Sequence, residues 1–433
     1  MKKIVATLLT LLCLTILWSP VEIAAVYEGN IKYSNYLLIN LDTGQTLLEK
    51  NADEQVSIAS LTKIMTVIVA LEKYPDLGKK VTISDKMLSG LREADASLAG
   101  FWSGEKVTVE DLIYGALLPS GADATKALAI QISGSEKEYT VLMNQKAKEL
   151  GMNNTVYKNS SGLDTKGQYS SAHDQMLLLK YCLNNAKFVK AFTASKYTTS
   201  DGNHKFKSTM REFLNQNENK ATFIKGGKTG YEDSAGICLA SYVDQQGDRL
   251  LFIGLGNKGN KTKARKYLDD INVYSYYIDN YELQAVYKAE DIIYKTTPHY
   301  TVQKEVEINF GEDVWYYLPN VYDPADVKVT FSLEQPVSYR TTIEDVIANY
   351  LVTYQDETVK SGVIRLREPL TTNLWLQGLE VAENHPIMVI GSLSFLIVAF
   401  TLILLVSLRN NKNRRRIAAK KGRKKPKTSL SHR

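Results

Sequence analysis

Cysteine is scarce in this chain, with three in 433 residues. Cys13 lies inside an N-terminal apolar run and lacks the position of a lipoprotein signal, so we assign it no lipid. Only Cys182 and Cys238 remain in the rest of the chain. They allow one disulfide at most, and whether they pair depends on a distance that a sequence does not contain. Two separate core thiols are the favoured interpretation, and a disulfide is the alternative.

Long apolar runs are also few. The composition is that of an ordinary globular chain, with 44% hydrophobic and 23% charged residues. This composition excludes a disordered tail protein, a collagen and a many-span transporter. The length allows about two to three domains of roughly 100–200 residues each. The sequence has no internal repeat and no low-complexity segment other than a basic C-terminal block.

Acidic residues are missing from residues 409–433, which contain twelve lysines and arginines. The whole chain has 53 basic and 47 acidic residues and a net charge of +6. Without that block, 41 basic residues face 47 acidic ones, so the rest of the chain carries −6. The basic signal is therefore one terminal block, and we predict no nucleic-acid partner.

The N-terminal residues 1–25 have the pattern of a signal peptide. Two lysines begin it, the apolar run Ile4–Trp18 follows, and Ala24 and Ala25 offer a cleavage site. An uncleaved N-terminal anchor is the alternative interpretation.

A second apolar run, residues 387–408, lies directly before the basic block. As a helix its 22 residues would rise about 33 Å, enough to cross a hydrocarbon core of about 30 Å. A buried helix is the alternative, but this run is apolar on all sides. Because basic flanks stay in the cytoplasm, we predict a single C-terminal span in the cell membrane. The body would be extracellular, and residues 409–433 would form a cytoplasmic tail near anionic lipid.

Hydrophobic periodicity predicts a sheet with helices packed against it in residues 26–290. The predicted strands are Tyr36–Asp42 and Gln45–Glu49, joined as a hairpin, and then Thr222–Lys225, Gly236–Asp244 and Arg249–Gly254. The predicted helices begin with one from Ser60 to near Pro75 and continue with Thr108–Leu117, Asp123–Ser133, Lys137–Leu150, His173–Asn184 and Lys263–Tyr281.

Short β-type runs separated by turn residues predict a small all-β domain in residues 291–371. A linker, residues 372–386, follows and contains the amphipathic stretch Leu374–Val381. The predicted β runs are Val302–Ile308, Val314–Leu318, Val327–Leu333, Tyr350–Tyr354 and Val363–Leu366.

A Ser-x-x-Lys pattern, Ser60 to Lys63, lies at a predicted helix start. Three residues make nearly one helical turn, so the Lys63 amine can reach the Ser60 hydroxyl. A serine becomes a good nucleophile only when a base takes its proton. Lysine is such a base only when burial or a neighbouring cation lowers its pKa. Taken alone, the pattern fits an N-cap serine and a surface lysine better.

Two further segments have the residue types of a substrate site. Lys228-Thr229-Gly230 is predicted near the end of a glycine-rich turn formed by Gly226 and Gly227. There a lysine and a hydroxyl on an edge strand would hold a carboxylate, and the glycine would let substrate backbone approach closely. Ser120 follows a proline between two predicted helices, where it is either a loop N-cap or the third side of a cleft. Taken alone, the first segment fits an ordinary turn better.

Taken in order, these segments match the Ser-x-x-Lys, Ser-Asp-Asn and Lys-Thr-Gly motifs of class A β-lactamases and penicillin-binding proteins. From about Tyr33 to Glu380 the chain resembles the low-molecular-mass penicillin-binding proteins, the serine-type D-alanyl-D-alanine carboxypeptidases. The resemblance implies an α+β fold, in which an antiparallel sheet with helices precedes a small all-β domain and a C-terminal transmembrane helix. The supporting segments are Ile58–Thr66, Pro119–Ala124, Asn159–Leu163, Tyr169–Asp174, Lys228–Tyr231 and Ala235-Gly236.

The resemblance also implies roles for individual residues. Ser60 is the expected nucleophile, Lys63 its base and Ser120 a proton relay to the leaving amine. The backbone N–H groups of Ser60 and Tyr231 are expected to bind the oxyanion. The residues expected to bind the substrate and its terminal carboxylate are Lys228, Thr229, Gly230, Tyr231 and, as a weaker match, Arg265.

The expected reaction is removal of the terminal D-alanine from peptidoglycan stem pentapeptides through an acyl-enzyme, which limits cross-linking. β-Lactams are expected to acylate the same serine, and the resemblance implies no metal or organic cofactor.

One departure from the family pattern is Ala122, which replaces the motif asparagine. Losing a buried hydrogen-bond partner costs about 1–3 kcal/mol, or roughly one to two decades in rate if the partner acts in the transition state. Two alternatives stay open. A β-lactamase-like hydrolase would need a second general base, and the extra β domain and the span argue against it. A catalytically weak wall-binding scaffold has only Ala122 in its favour.

Overall fold

The computed structural model describes Tyr27 and residues 29–216, 221–245, 247–258, 268–334 and 336–421. The predicted signal peptide and Arg265 lie outside the described residues, as does the end of the basic tail. The chain divides into two compact units. The first runs to Val286 and includes Val314–Val327, and the second contains Tyr287–Asp313 and the chain from Lys328 onward.

A five-stranded antiparallel sheet organises the first unit, with the strand order β2-β1-β9-β8-β7. The predicted hairpin is confirmed, and its first strand also pairs with a strand at least 210 residues later in the chain, from Asn35 opposite Leu255 to Asn40 opposite Leu250. Strand β7 lies at one edge of the sheet. The strands are β1 Asn35–Asn40, β2 Thr46–Lys50, β7 Ile224–Glu232, β8 Gly236–Gln245 and β9 Asp248–Asn257.

Both faces of this sheet are covered, because successive side chains of a strand point to opposite faces. Leu37 and Ile253 belong to one hydrophobic core, and their neighbours Leu38 and Phe252 belong to another. The first core is formed mainly with the helices before β7, and the second includes helix α9. The helices of this unit are α1 Thr62–Lys73, α2 Asp85–Leu88, α3 Val109–Leu117, α4 Ala122–Ser133, α5 Glu136–Glu149, α6 Ala172–Cys182, α7 Ala186–Phe192, α8 Thr209–Gln216 and α9 Leu268–Asn280.

Helix α1 is deeply buried. Every residue from Thr62 to Leu71 is buried, so the helix passes through the core rather than along its surface. Lys63 lies in its first turn and is drawn into the interior with the apolar residues around it. The two cysteines, Cys182 in α6 and Cys238 in β8, are buried and unpaired, which confirms two separate thiols.

Several short elements of the first unit were not predicted. The small hairpins have three residues in each strand, too few for alternation to be recognised. Helix α9 is described only from residue 268, so the first part of the predicted helix Lys263–Tyr281 lies outside the described residues. The unpredicted strands are β3 Lys80–Thr82 paired with β4 Lys106–Thr108, β5 Lys196–Thr198 paired with β6 Lys205–Lys207, and β10 Tyr281–Tyr287, which pairs with the predicted β13 Val314–Pro319.

The second unit contains two small sheets and the C-terminal helices. Strands β11 and β12 form one antiparallel pair, and β14, β15 and β16 form the other sheet. Strand β11 was not predicted, and the run predicted from Val302 is a strand only from Val306. The elements are β11 Ile292–Thr296, β12 Val306–Asn309, β14 Val327–Leu333, β15 Ala348–Tyr354, β16 Glu357–Ile364, α10 Leu374–Asn384 and α11 Pro386–Lys421.

Helix α11 contains a segment, Pro386–Arg415, that is long and apolar enough to cross a membrane. Its mean hydropathy is 2.8 in the most apolar window. The preceding α10 contacts the β part of the same unit through Glu380, whose carboxylate accepts hydrogen bonds from Tyr339 and Arg340. Helix α11 is therefore a candidate membrane anchor.

Candidate active site

A buried serine–lysine pair lies at the beginning of α1. Ser60 belongs to a short 3-10 turn, Ala59–Leu61, and is 9% exposed, while Lys63 is 2% exposed. The Nζ atom of Lys63 is 2.7 Å from Ser60 Oγ and 2.5 Å from the backbone oxygen of Ser161. This distance to Ser60 is within the range for direct proton transfer between a base and a hydroxyl.

Burial also changes the charge state of this lysine. Desolvation lowers the pKa of Lys63 from its ordinary 10.5 to about 7, against the opposing effect of the Glu232 and Asp123 carboxylates. About half of the molecules then have an uncharged amine at neutral pH. An uncharged amine has a lone pair that can accept the Ser60 proton.

A second buried pair joins Ser120 to Lys228. Lys228 Nζ donates to Ser120 Oγ at 2.8 Å and to the backbone oxygen of Thr229 at 2.7 Å. Ser120 lies between α3 and α4 with a φ of +63°, a conformation that is costly for a non-glycine residue. The bond from Ala122 N to Ser97 O helps to hold this loop. The strained loop thus brings the Ser120 hydroxyl to Lys228.

Lys228 is completely buried. Desolvation, and then the nearby Lys63, lower the pKa of Lys228 well below its usual range. A carboxylate entering this site would favour the charged amine again, because an opposite charge raises the pKa of a lysine. Binding of a carboxylate at Lys228 would thereby be coupled to proton uptake.

The turn predicted at Gly226 and Gly227 is wrong, because β7 is continuous through both glycines. Their missing side chains make room for packing. A Cβ atom on Gly226 would lie 2.8 Å from Phe192 Cδ1, and one on Gly227 would lie 3.0 Å from Met210 Cγ. Lys228, Thr229 and Gly230 therefore lie within an extended edge strand, and not after a turn.

The edge strand β7 runs beside the Ser60 turn. A Cβ atom on Gly230 would lie 2.9 Å from Ser60 N, so only glycine permits this approach. Next to it, Thr229 Oγ1 is 3.0 Å from Thr209 Oγ1. The hydroxyl of Tyr231 donates to Asp233 at 3.1 Å.

These groups surround one cleft of about 310 Å³. Ser60, Lys63, Ser120, Thr229, Gly230 and Tyr231, all singled out from the sequence, line it together. Lys228 contacts Ser120 from the protein interior, and Arg265 lies outside the described residues. The remaining lining residues are Ala94–Ser97, Pro119, Ala122, Leu163, Asp164, Thr209, Glu232 and Asp233.

Sequence reasoning missed two groups at this site. The Ser161 carbonyl contacts Lys63, but a backbone contact has no sequence signature. The Asp123 carboxylate accepts hydrogen bonds from Ala99 N and Gly100 N, both at 2.8 Å. It thereby fixes the loop that carries the Ala94–Ser97 side of the cleft. The sequence signal for Asp123 is its position directly after Ser120-Gly121-Ala122, the middle one of the three motifs.

No metal centre is evident in the part of the chain that the structure describes, where no three histidine, cysteine or acidic residues are grouped as ligands. The polar groups that converge on the cleft are hydroxyls, amines, carboxylates and backbone atoms. Such a set suits acyl transfer to a serine.

Known proteins resemble this chain in sequence and in fold. A family model described as D-alanyl-D-alanine carboxypeptidase matches residues 22–259. The D-alanyl-D-alanine carboxypeptidase DacF of Bacillus subtilis is 32% identical over 313 residues, which cover 70% of this chain and 76% of that protein. Penicillin binding protein 5 of Haemophilus influenzae superposes with a TM-score of 0.66 at 24% identity, covering 80% of this chain and 100% of that one. A Streptomyces DD-transpeptidase superposes with a TM-score of 0.52 at 29% identity, covering 58% of this chain and 98% of that one.

Proposed function

The chain belongs to the D-alanyl-D-alanine carboxypeptidase family, and from this premise we propose that Ser60 is its nucleophile and Lys63 the general base. The protein is a serine-type peptidase of the penicillin-binding class. Its substrates are peptidoglycan peptides that end in D-Ala-D-Ala, and β-lactams are its inhibitors. The observation that carries the residue assignment is the distance of 2.7 Å between Lys63 Nζ and Ser60 Oγ in a buried pair.

Acylation begins when the uncharged amine of Lys63 takes the proton of Ser60. The Ser60 oxygen attacks the carbonyl carbon of the bond between the two D-alanines, and the backbone N–H groups of Ser60 and Tyr231 bind the oxyanion. The C–N bond then breaks, and the leaving amine takes a proton from the Ser120 hydroxyl. Lys228, bonded to that hydroxyl, supplies the replacement proton. The products are free D-alanine and an ester of the shortened peptide on Ser60.

Deacylation repeats the chemistry with water as the nucleophile. Lys63 first releases to solvent the proton that it took from Ser60, and Lys228 regains a proton when the next carboxylate binds. Lys63 then takes a proton from water, the hydroxide attacks the ester carbonyl, and the charged Lys63 returns that proton to the Ser60 oxygen as the C–O bond breaks. During acylation, Thr229 and Lys228 would hold the terminal carboxylate of the substrate, which then departs with the released D-alanine. Arg265 lies outside the described residues, so its share in that binding stays a prediction from the sequence. Removal of the terminal D-alanine would limit cross-linking of the wall.

The test of this function is the release of D-alanine. We expect the full chain in detergent to convert a pentapeptide ending in D-Ala-D-Ala into a tetrapeptide with one equivalent of D-alanine. A folded protein that binds penicillin but releases no D-alanine would favour the wall-binding scaffold. Rapid turnover of penicillin, in place of a long-lived adduct, would favour the β-lactamase-like hydrolase.

The rate of acylation should rise with pH around neutrality. Only the uncharged amine of Lys63 can accept a proton, so activity is lost as the pH falls through about 7 and the amine becomes charged. We expect a single ionisation near that pH when the acylation rate by penicillin is measured between about pH 5 and 9. An acylation rate that stays flat down to about pH 5 would contradict the assignment of Lys63 as base.

We further propose that α11 places the catalytic unit outside the cell and the basic tail in the cytoplasm. The candidate span Pro386–Arg415 supports the anchor, and the excess of basic residues after it supports the orientation. A chain that ends at His385 should be released from membranes and retain its rate of D-alanine release. Its retention in the membrane fraction would contradict the anchor. A tag after Arg433 should react with antibody in permeabilised cells only, and labelling of intact cells would contradict the orientation.

A further inference from the structure

The catalytic lysine of this chain has no side-chain partner at the middle motif. Ala122 lines the cleft beside Lys63 and Ser120, and its methyl group cannot hydrogen-bond. Among the described residues, Lys63 Nζ makes its hydrogen bonds to Ser60 Oγ and to the backbone oxygen of Ser161. The direction of the amine is therefore set by a backbone carbonyl.

That carbonyl has a defined chemical effect on the base. An uncharged amine has two N–H donors and one lone pair, arranged as a tetrahedron. When one N–H donates to Ser161 O, the amine can rotate less, and its lone pair is held toward Ser60. Without that anchor, the amine would sample orientations from which it cannot take the Ser60 proton.

The turn that presents Ser161 is organised by one side chain, Asn159. Its Oδ1 accepts hydrogen bonds from Gly162 N at 2.7 Å and from Ser161 N at 3.2 Å. Its Nδ2 donates to Leu163 O and to Thr165 Oγ1, both at 2.8 Å. The amide thus bonds to both sides of the turn, and neither of its polar atoms contacts Lys63 or Ser60.

The turn is also fixed against the nucleophile. Gly162 has a φ of +85°, and a Cβ atom there would overlap the backbone of Ala59. On the other side, Thr66 Oγ1 donates to Ser160 O at 2.7 Å. The Ser161 carbonyl is therefore held between Asn159 on one side and α1 on the other.

We propose that Asn159 is a positioning residue for catalysis: it holds the Ser161 carbonyl on the Lys63 amine and so supplies the orientation that Ala122 cannot. Asn159 acts through Ser161 and does not touch the reacting atoms. The inference rests on the proposed roles of Ser60 and Lys63.

The first test is Asn159→Ala, assayed by stopped-flow acylation of the full chain with a fluorescent penicillin. The rate is divided by the number of sites that become labelled, so partial unfolding does not affect it. We expect the limiting acylation rate to fall about tenfold, the effect of one lost hydrogen bond on orientation. The dissociation constant of the initial complex should change less than about twofold.

Asn144 provides a matched control on a neighbouring segment. Like Asn159, it uses its side-chain amide both as acceptor and as donor: Oδ1 accepts from Tyr157 N and Nδ2 donates to Tyr157 O, both at 2.9 Å. It is not bonded to the Ser161 turn. Asn144→Ala should lower the melting temperature but leave the acylation rate per labelled site unchanged. An equal loss of rate in both variants would overturn the proposal.

Asn159→Asp keeps the Oδ atoms that accept from Ser161 N and Gly162 N, and it serves also if the alanine variant does not fold. At pH about 9, above the pKa of Lys63, we expect its acylation rate to stay within about threefold of the parent. A loss as large as that of Asn159→Ala would show that the acceptor bonds are not what matters, and it would overturn the proposal.

Ala122→Asn completes the test as a double-mutant cycle. An amide at position 122 should hold Lys63 directly, so it should raise the rate of Asn159→Ala about tenfold and that of the parent about threefold or less. Equal gains in both backgrounds would mean that the two positions act independently, which overturns the proposal.

If the parent chain is not acylated at all, the proposed function itself fails. Acylation of the parent with an unchanged Asn159→Ala rate defeats this inference alone.

Discussion

Ser60→Ala is expected to abolish covalent labelling by fluorescent penicillin and the release of D-alanine. The alanine has no oxygen to form the ester, and the other groups of the cleft can only bind and polarise the substrate. The residual rate should be at least about 10⁴-fold lower than that of the parent. The measurement is in-gel fluorescence after incubation with the penicillin, together with D-alanine release from a pentapeptide.

Ser57→Ala is the matched control for this variant. Ser57 lies three residues earlier in the chain, and its hydroxyl is 3.5 Å from Asp164 Oδ1 and is not bonded to Lys63. We expect labelling of this control at the parent level. Labelling that survives in Ser60→Ala would contradict the assignment of Ser60 as nucleophile, because a different side chain would have to form the adduct.

Lys63→Met is expected to lower the acylation rate by about 10²–10⁴-fold at neutral pH, the usual contribution of a general base. Methionine has nearly the length of lysine, but it cannot take the Ser60 proton. The residual reaction should also lose the ionisation near pH 7 that the parent shows. Stopped-flow acylation as a function of pH measures both effects.

The same substitution should stabilise the fold. A buried lysine costs free energy in its charged form, and an apolar side chain of similar size avoids that cost. We therefore expect a higher melting temperature for Lys63→Met. The gain should grow as the pH falls from 10.5, the ordinary pKa of the lysine, to about 7, its pKa in the fold, and should be largest below that, where the buried amine is charged. Lys73→Met, at the exposed end of the same helix, should change neither the acylation rate nor the pH profile. A Lys63→Met variant with parental activity would exclude Lys63 as the base.

The chemistry of the site could be predicted from the sequence because it depends on residue types in a fixed order. A serine three residues before a lysine on a helix, a second serine in a loop and a Lys-Thr-Gly segment indicate acyl transfer before any coordinates are known. The hairpin at the start of the chain and the apolar run before the basic block were also readable. Each of these features is local, because the residues that indicate it lie within a few positions of one another in the chain.

The backbone conformation around the Lys-Thr-Gly segment could not be predicted from the sequence. The two glycines before it predict a turn, yet they lie in a strand and make room for Phe192 and Met210. The side chains that require this space come from other parts of the chain. Glycine in a sequence does not tell whether the backbone turns or another group approaches closely.

Length, charge and motif order were thus determined by the sequence, including the net charge of +6, which is the sum of an acidic body and a basic tail. Tertiary structure alone decided the properties that make the site reactive. The pKa of Lys63 falls because α1 is buried on all sides. The orientation of its amine depends on a carbonyl 98 residues away, and Ser120 meets Lys228 across 108 residues. Burial and backbone direction arise only when distant segments pack together, and for that reason no local pattern contains them.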